Sequence, residues 1–186
     1  MIFLRRADIL LMGNRETHRR AVFFDRDGTL NVDKDYLCKI EEFEWLEDAP
    51  RAVRWANEHG FLVIVITNQS GIARGYFSEA DVKRLHDWMN EDLAQFGAHI
   101  DAFYYCPHLP NGTVKAYAVE CNCRKPKPGL VARACTDFSI DRGASILIGD
   151  KARDVECAEA AGVHGVLYEG GSLEALLERE LGDGRK

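Results

Sequence analysis

Proline is scarce in this sequence, long apolar runs are missing, and positive charge is in deficit. The 5 prolines and 16 glycines among 186 residues exclude a collagen-like or low-complexity chain. No apolar run reaches the roughly 18 residues that a membrane-spanning helix needs, so we expect no membrane partner. Acidic residues outnumber basic ones by 30 to 24, and the net charge of −6 argues against nucleic acid as a partner. These absences favour a globular protein acting on a small molecule, with a monomer as the expected state.

The first residues do not form a secretory signal. Their apolar start is interrupted by Arg5, Arg6 and Asp8 before an apolar core is reached. Residues 1–18 are polar and without pattern, so they are predicted to be a disordered N-terminal arm. Residues 19–186 are predicted to form a single domain, and the expected location is the cytoplasm.

Strand and helix signals alternate along that domain. Apolar and β-branched runs predict strands at 21–24, 61–66, 102–105, 145–148 and 164–168. Helices are predicted at 48–59, 78–95, 128–138 and 152–161 and after Ser172. Asp48 is placed to cap the first helix, and Ser78 with Asp81 has the spacing of a capping box. This alternation predicts an α/β fold with a doubly wound parallel sheet.

Polar residues follow three of these strands directly. Asp25 and Asp27 come after the first strand, Thr67 after the second and Asp150 after the fourth. Ligands of such sheets bind beyond the carboxyl ends of the strands, so we expect these side chains to converge. Three carboxylates make an oxygen-rich pocket suited to Mg²⁺, and a carboxylate there can act as a nucleophile toward phosphorus. The alternative for residues 25–29 alone is a turn held by an Asx-type hydrogen bond.

Four potential metal ligands, Cys106, His108, Cys121 and Cys123, lie close together in the sequence. Three thiolates and one imidazole match a closed tetrahedral zinc site. The alternatives are a core histidine among buried thiols, or a redox pair, although Cys-x-Cys lacks the usual two-residue spacer. Zinc here would be structural, since the protein fills all four positions, and it would staple the loop that ends at Lys125.

These motifs resemble those of the haloacid dehalogenase (HAD) phosphohydrolase superfamily. The matching motifs are Asp25-Arg-Asp-Gly-Thr29, Thr67, Lys125 and Gly149-Asp-x-x-x-Asp154. The resemblance implies that Asp25 attacks phosphorus, and that Asp27 protonates the leaving alkoxide and then activates water. It implies that Thr67 and Lys125 hold the phosphoryl oxygens, and that Mg²⁺ is bound by Asp25, the main chain of Asp27, and Asp150. About 40 residues separate Asp25 from Thr67, which leaves no room for a large cap domain.

Further segments resemble one branch of that superfamily, which contains histidinol-phosphatase domains and D-glycero-D-manno-heptose 1,7-bisphosphate 7-phosphatases. They are Asn68-Gln-Ser-Gly-Ile-Ala-Arg-Gly75, Tyr105-Cys-Pro-His108 and Cys121-x-Cys-Arg-Lys-Pro126. They look closest to the heptose enzymes, which implies hydrolysis of the C7 phosphate through an aspartyl-phosphate. The product, heptose 1-phosphate, would supply heptose for lipopolysaccharide. The resemblance also implies substrate contacts by Asp33, Tyr36, Asn68, Gln69, Ser70, Arg124 and Lys151.

Two other functions stay open at this point. A histidinol-phosphate phosphatase would use the same nucleophile and the same metals on another substrate. A non-catalytic, zinc-stapled binding module would keep the fold without the reaction, although every catalytic position is filled.

Overall fold

A computed structural model describes residues 18–182, whose centre is a five-stranded parallel sheet. The strands are β1 (Ala21–Phe24), β2 (Leu62–Asn68), β3 (Ala102–Cys106), β4 (Ile146–Gly149) and β5 (His164–Leu167). Their order across the sheet is β3-β2-β1-β4-β5, and every neighbouring pair is parallel. The predicted doubly wound sheet is therefore confirmed. Apart from His18, the predicted arm 1–18 lies outside the described residues.

Six helices connect and cover the strands. They are α1 (Ala49–Glu58), α2 (Gly71–Arg74), α3 (Glu79–Leu93), α4 (Gly129–Asp137), α5 (Ala152–Ala160) and α6 (Leu173–Leu181). The single turn α2 directly follows β2 and was not predicted. In the described part of the chain, no helix is long and apolar enough to cross a membrane.

The sheet is covered on both faces. In β1, Val22 and Phe24 pack into one core, with buried side chains of α1, α3 and α6. Ala21 and Phe23 point the other way, into a second core with α4 and α5. Because both of their faces are buried, the inner strands β1, β2 and β4 are continuous apolar runs rather than alternating ones. The central position of β1 also puts its carboxyl end, at Asp25, in the middle of the sheet edge.

One predicted helix cap is confirmed and one is wrong. Ser78 and Asp81 form the capping box at the start of α3. Asp48 makes no side-chain cap bond to α1. Its backbone is at φ −116° and ψ 6° rather than extended, and Pro50 in the first turn has no amide to donate. The carboxylate instead accepts from the Ser172 hydroxyl at 2.6 Å and from the Glu174 amide at 3.1 Å, which joins α1 to α6.

No separate cap domain occurs within residues 18–182. The two long connections, 25–48 and 107–128, contain no helix or strand longer than three residues. The edge of the sheet beyond the carboxyl ends of the strands is therefore covered only by loops. This agrees with the prediction from the short interval between Asp25 and Thr67.

Candidate active site and metal centre

A buried lysine joins two carboxylates at the centre of the sheet edge. The Nζ atom of Lys125 lies 2.8 Å from Asp25 Oδ1 and 2.6 Å from Asp154 Oδ1. It also donates to the carbonyl of Ile66 at 2.8 Å. The lysine, with three donors, is thus fixed by three acceptors. Asp154, which the sequence placed only in a motif, is the second counter-ion of this lysine.

The environment of Asp25 opposes its ionisation. Burial raises the pKa of Asp25 to about 6; the Lys125 charge acts in the opposite direction, and the nearby Asp154 raises it further. The side chain is nearly closed to solvent, and its Oδ1 accepts from the Arg26 amide at 2.7 Å. A carboxylate held in this way is fixed in direction and poorly solvated, which suits a nucleophile.

Asp150 offers an oxygen to a cation beside Asp25. Its Oδ1 is buried without a hydrogen-bond partner, while Oδ2 lies 2.6 Å from Lys151 Nζ. Gly28 makes the approach possible: at φ +88°, a Cβ atom added there would meet Asp150 Oδ2 at 2.5 Å. Carboxylate oxygens of Asp25, Asp150 and Asp154 lie within 4.8 Å of one another. Because Lys125 engages Asp154 Oδ1 and Asp25 Oδ1, the unpartnered Oδ1 of Asp150 and the second oxygen of Asp25 are the candidate ligands for a hard cation such as Mg²⁺.

Asp27 is surrounded by donors. Arg26 contacts both of its carboxylate oxygens, and Asn31 donates to Oδ1 at 3.1 Å. The Gln69 amide donates to Asp27 Oδ2 and to the Thr67 hydroxyl oxygen, both at 2.9 Å. Gln69 thereby couples two of the predicted catalytic residues, which come from different strand ends. The contact of Gln69 with Asp27 requires the fold, because the two residues lie 42 positions apart in the sequence.

Ten of the predicted site residues line one pocket of about 300 Å³, whereas Lys125 and Asp150 are not part of its lining. Its lining includes the predicted Asp25, Asp27, Asp33, Tyr36, Thr67, Asn68, Gln69, Ser70, Arg124 and Lys151. The amide of Asn68, however, is engaged with the main chain of Lys125, donating at 3.2 Å and accepting at 3.0 Å. In this structure Asn68 and Gln69 therefore bond to the protein rather than pointing free groups into the pocket.

Two further cations line the same pocket and were missed by the sequence reasoning. Arg74 ends α2 and lies 5.5 Å from the ring centre of Tyr36, and its Nε is buried without a partner. Arg153 begins α5 and forms no ion pair within residues 18–182. The signal for Arg74 was present in the 68–75 segment, whose last arginine was quoted but given no role. Both guanidinium groups make the pocket attractive to an anion.

The four predicted zinc ligands converge beside this pocket. Cys106 Sγ lies 3.6 Å from Cys121 Sγ and 3.2 Å from Cys123 Sγ. His108 Nδ1 lies 3.7 Å from Cys106 Sγ and 3.3 Å from Cys123 Sγ. A tetrahedral ion with Zn–S distances of about 2.3 Å separates its ligand atoms by roughly 3.7 Å. The sulfurs are free thiols at non-bonded distances, so this is a cluster compatible with a metal ion and not a disulfide.

Comparison with known proteins identifies the family. The chain is 45% identical over 146 residues to the D-glycero-beta-D-manno-heptose-1,7-bisphosphate 7-phosphatase of Haemophilus ducreyi, covering 78% of this chain and 80% of that protein. The enzyme of the same name from Rhodopseudomonas palustris is 43% identical over 163 residues, covering 88% and 91%. The chain belongs to this heptose-bisphosphate phosphatase family.

A family match and a structural comparison agree with this assignment to the heptose-bisphosphate phosphatase family. Residues 122–182 match the HAD-hydrolase-like family. The crystal structure of D,D-heptose 1,7-bisphosphate phosphatase from B. bronchiseptica, complexed with magnesium and phosphate, superposes with a TM-score of 0.75. It is 31% identical and covers 87% of this chain and 98% of that one. The resemblance inferred from the motifs is thus confirmed at the level of the heptose-bisphosphate phosphatase family.

Proposed function

We propose that this protein is a Mg²⁺-dependent phosphatase that removes the C7 phosphate of D-glycero-β-D-manno-heptose 1,7-bisphosphate and releases heptose 1-phosphate. The observation that carries the proposal is Asp25: a buried carboxylate, oriented by Lys125, beside an unpartnered oxygen of Asp150. The relatives named for this reaction support the substrate, and their names supply the β configuration. The six free cysteines are in keeping with a cytoplasmic location.

The proposed reaction uses Asp25 and Asp27, which line the same pocket. A carboxylate oxygen of Asp25 forms a bond to phosphorus while the bond from phosphorus to the C7 oxygen breaks. The electron pair stays on that oxygen, which takes a proton from Asp27, giving an alcohol and an aspartyl-phosphate. In the second step ionised Asp27 takes a proton from water, whose oxygen attacks phosphorus and frees Asp25.

The reaction also requires positive charge around the transferred phosphoryl group. The Thr67 hydroxyl, in the lining of the pocket, and Lys125, whose Nζ lies 2.8 Å from Asp25 Oδ1, are proposed to bind its oxygens. When held by Asp25, Asp150 and the Asp27 carbonyl, Mg²⁺ would supply further neutralisation of the transferred group. Lys151 lies next to Asp150 and is proposed to contact the same phosphate. Arg124, Asp33 and Tyr36, which line the same pocket, are proposed to bind the remainder of the sugar bisphosphate.

The cysteine and histidine cluster is proposed to bind one structural zinc ion. Burial raises the pKa of the Cys106 thiol, so a thiolate there requires a nearby cation. Arg124 and Lys125 directly follow the last ligand, and Arg124 donates to the carbonyl of His108 at 3.4 Å. An ion in this cluster would fix the segment that delivers both cations to the pocket.

Phosphate release in the presence of Mg²⁺ tests the substrate. The two anomers of heptose 1,7-bisphosphate and histidinol phosphate are compared as kcat/KM, with Asp25→Asn as the inactive control. The β anomer is expected to react fastest. Faster phosphate release from histidinol phosphate would show that the proposed substrate is wrong. An Asp25→Asn variant as active as the parent would show that Asp25 is not the nucleophile.

A further inference from the structure

Arg26 lies between the two catalytic aspartates and is buried completely. Its Nε donates to Asp27 Oδ1 at 3.2 Å, and its Nη2 lies 2.9 Å from both Asp27 oxygens. Nη2 also donates to the carbonyl of Leu37 at 2.9 Å, in the loop after β1. A guanidinium removed from water in this way is not a solvated surface charge. Its planar fork fixes the plane of the Asp27 carboxylate.

The far side of the guanidinium is held by His86 of α3. Arg26 Nη1 lies 3.3 Å from His86 Nε2. Because arginine has only donors, Nε2 must be the acceptor, so the ring is neutral and carries its proton on Nδ1. Burial, together with the Arg26 charge, lowers the pKa of His86 well below 6.5. The ring stacks on Phe103 at 4.3 Å, which fixes the acceptor in place.

The two oxygens of Asp27 are not equivalent. Oδ1 receives Nε and Nη2 of Arg26 and the amide of Asn31. Oδ2 receives only a share of Nη2 and the amide of Gln69, whose other contact is the Thr67 hydroxyl. Three of these five contacts fall on Oδ1 and two on Oδ2, so Oδ2 is the less engaged oxygen and the better placed of the two to carry a proton. Oδ2 is also the oxygen linked through Gln69 to Thr67, which is proposed to bind the phosphoryl group.

We propose that Arg26, backed by His86, is a positioning residue that directs Asp27 Oδ2 toward the leaving oxygen of the substrate. Oδ2 carries the proton that the C7 oxygen takes when its bond to phosphorus breaks, and Oδ1 stays bound to Arg26 throughout. This inference rests on the proposed phosphatase function. It adds a residue and an atom to that function, and it is tested separately from the choice of sugar.

The test compares two leaving groups. An alkoxide needs a proton when it departs, whereas 4-nitrophenolate leaves without one. We therefore expect Arg26→Gln to lower kcat/KM for heptose 1,7-bisphosphate about 10–100-fold more than for 4-nitrophenyl phosphate, a part of the 10²–10⁴ that general acids typically supply. Arg26→Lys keeps the charge but not the planar fork. Its ratio of kcat/KM for heptose 1,7-bisphosphate to kcat/KM for 4-nitrophenyl phosphate should therefore lie between the ratios of Arg26→Gln and the parent. Since kcat/KM reports only steps through leaving-group departure, slow hydrolysis of the aspartyl-phosphate does not affect the comparison.

The ratio of the two kcat/KM values does not depend on how much of a preparation is folded. If Arg26→Gln yields no folded protein, His86→Phe is measured instead. This substitution keeps a ring that can stack on Phe103 but removes the nitrogen that accepts from Arg26. It should lower the same ratio about 3–10-fold. Arg54→Gln, at an exposed arginine on α1, is the control and should leave the ratio unchanged. An equal loss on both substrates in the Arg26 and His86 variants would overturn the proposal. If the parent prefers another alkyl phosphate, the substrate assignment fails, and the ratio measured with that phosphate still tests Arg26.

Discussion

Replacing the proposed nucleophile Asp25 by asparagine should stabilise the metal-free protein while abolishing its activity. The carboxylate is buried and shares Lys125 with a second buried carboxylate, Asp154. With both acids ionised, the group of three carries one uncompensated negative charge in a place that is nearly closed to solvent. The asparagine would keep the shape of the side chain and leave a balanced pair of Lys125 and Asp154.

The magnitude follows from the raised pKa of Asp25. Its pKa in the folded protein is about 6, against an ordinary value of 3.8. One pKa unit corresponds to about 1.4 kcal/mol, so ionised Asp25 lowers the free energy of unfolding by about 3 kcal/mol. An acid with a raised pKa destabilises the fold above that pKa, and the penalty disappears as the pH falls toward the unfolded value. The variant should therefore gain about 1–3 kcal/mol at pH 7 and little at pH 4.

Urea denaturation of parent and variant, with a chelator present, measures this difference at both pH values. Asp33→Asn is a matched control, because Asp33 lines the same pocket but is exposed, and such substitutions usually change stability by less than about 0.5 kcal/mol. An Asp25→Asn variant that is no more stable than the parent at pH 7 would refute the reasoning. A gain of equal size at pH 4 would do so as well, since it could not come from the charge.

Three other perturbations test separate parts of the molecule. Mg²⁺ should raise the thermal unfolding temperature of the parent but not that of Asp150→Asn, and the activity of this variant should fall by at least about 100-fold. An equal rise in unfolding temperature in both proteins would show that Asp150 is not a ligand of the metal. Metal analysis should give about one zinc per chain in the parent and none in Cys123→Ser, with a lower unfolding temperature in the variant; a folded, active parent without zinc would contradict this. Asp48→Ala should cost about 1–3 kcal/mol in urea denaturation, because it leaves the Ser172 and Glu174 donors at the start of α6 unpaired; an unchanged midpoint would show that water replaces the carboxylate.

The sheet could be predicted because its signals are local. Six consecutive apolar residues at 61–66 indicate a strand that is buried on both faces rather than exposed on one. Glycines such as Gly60 and Gly162 mark the ends of helices between the strands. The single turn α2 was missed because four residues carry too little periodicity to be recognised. The cap at Asp48 was wrong because residue type and spacing do not determine the backbone angles, and those angles turned the side chain toward α6.

The candidate site could be predicted only where a residue belongs to a motif. Asp25, Thr67 and Asp150 each end a strand, so the parallel topology alone brings them to one edge. The contacts that organise them cross the chain: Arg26 reaches His86, 60 residues away, and Gln69 reaches Asp27, 42 residues away. A single sequence does not record such pairings, because many buried arrangements satisfy the same composition. The partners that hold the reactive groups in place therefore appeared only with the structure.

The balance of charge explains why this acidic chain can accept an anionic substrate. Four carboxylates surround the reaction centre, and three cations are paired with them; the pairs are Lys125 with Asp25 and Asp154, Arg26 with Asp27, and Lys151 with Asp150. With all four acids ionised, the centre therefore carries about one negative charge before a divalent cation binds and about one positive charge afterwards. The proton that Asp27 carries as the proposed general acid changes these values to about zero and about two positive charges. Since a phosphate is attracted only by the states that contain the metal, we expect productive substrate binding to require it. Three further guanidinium groups line the same pocket without carboxylate partners in the described chain; they belong to Arg74, Arg124 and Arg153. They are therefore available to bind the part of the substrate that does not react.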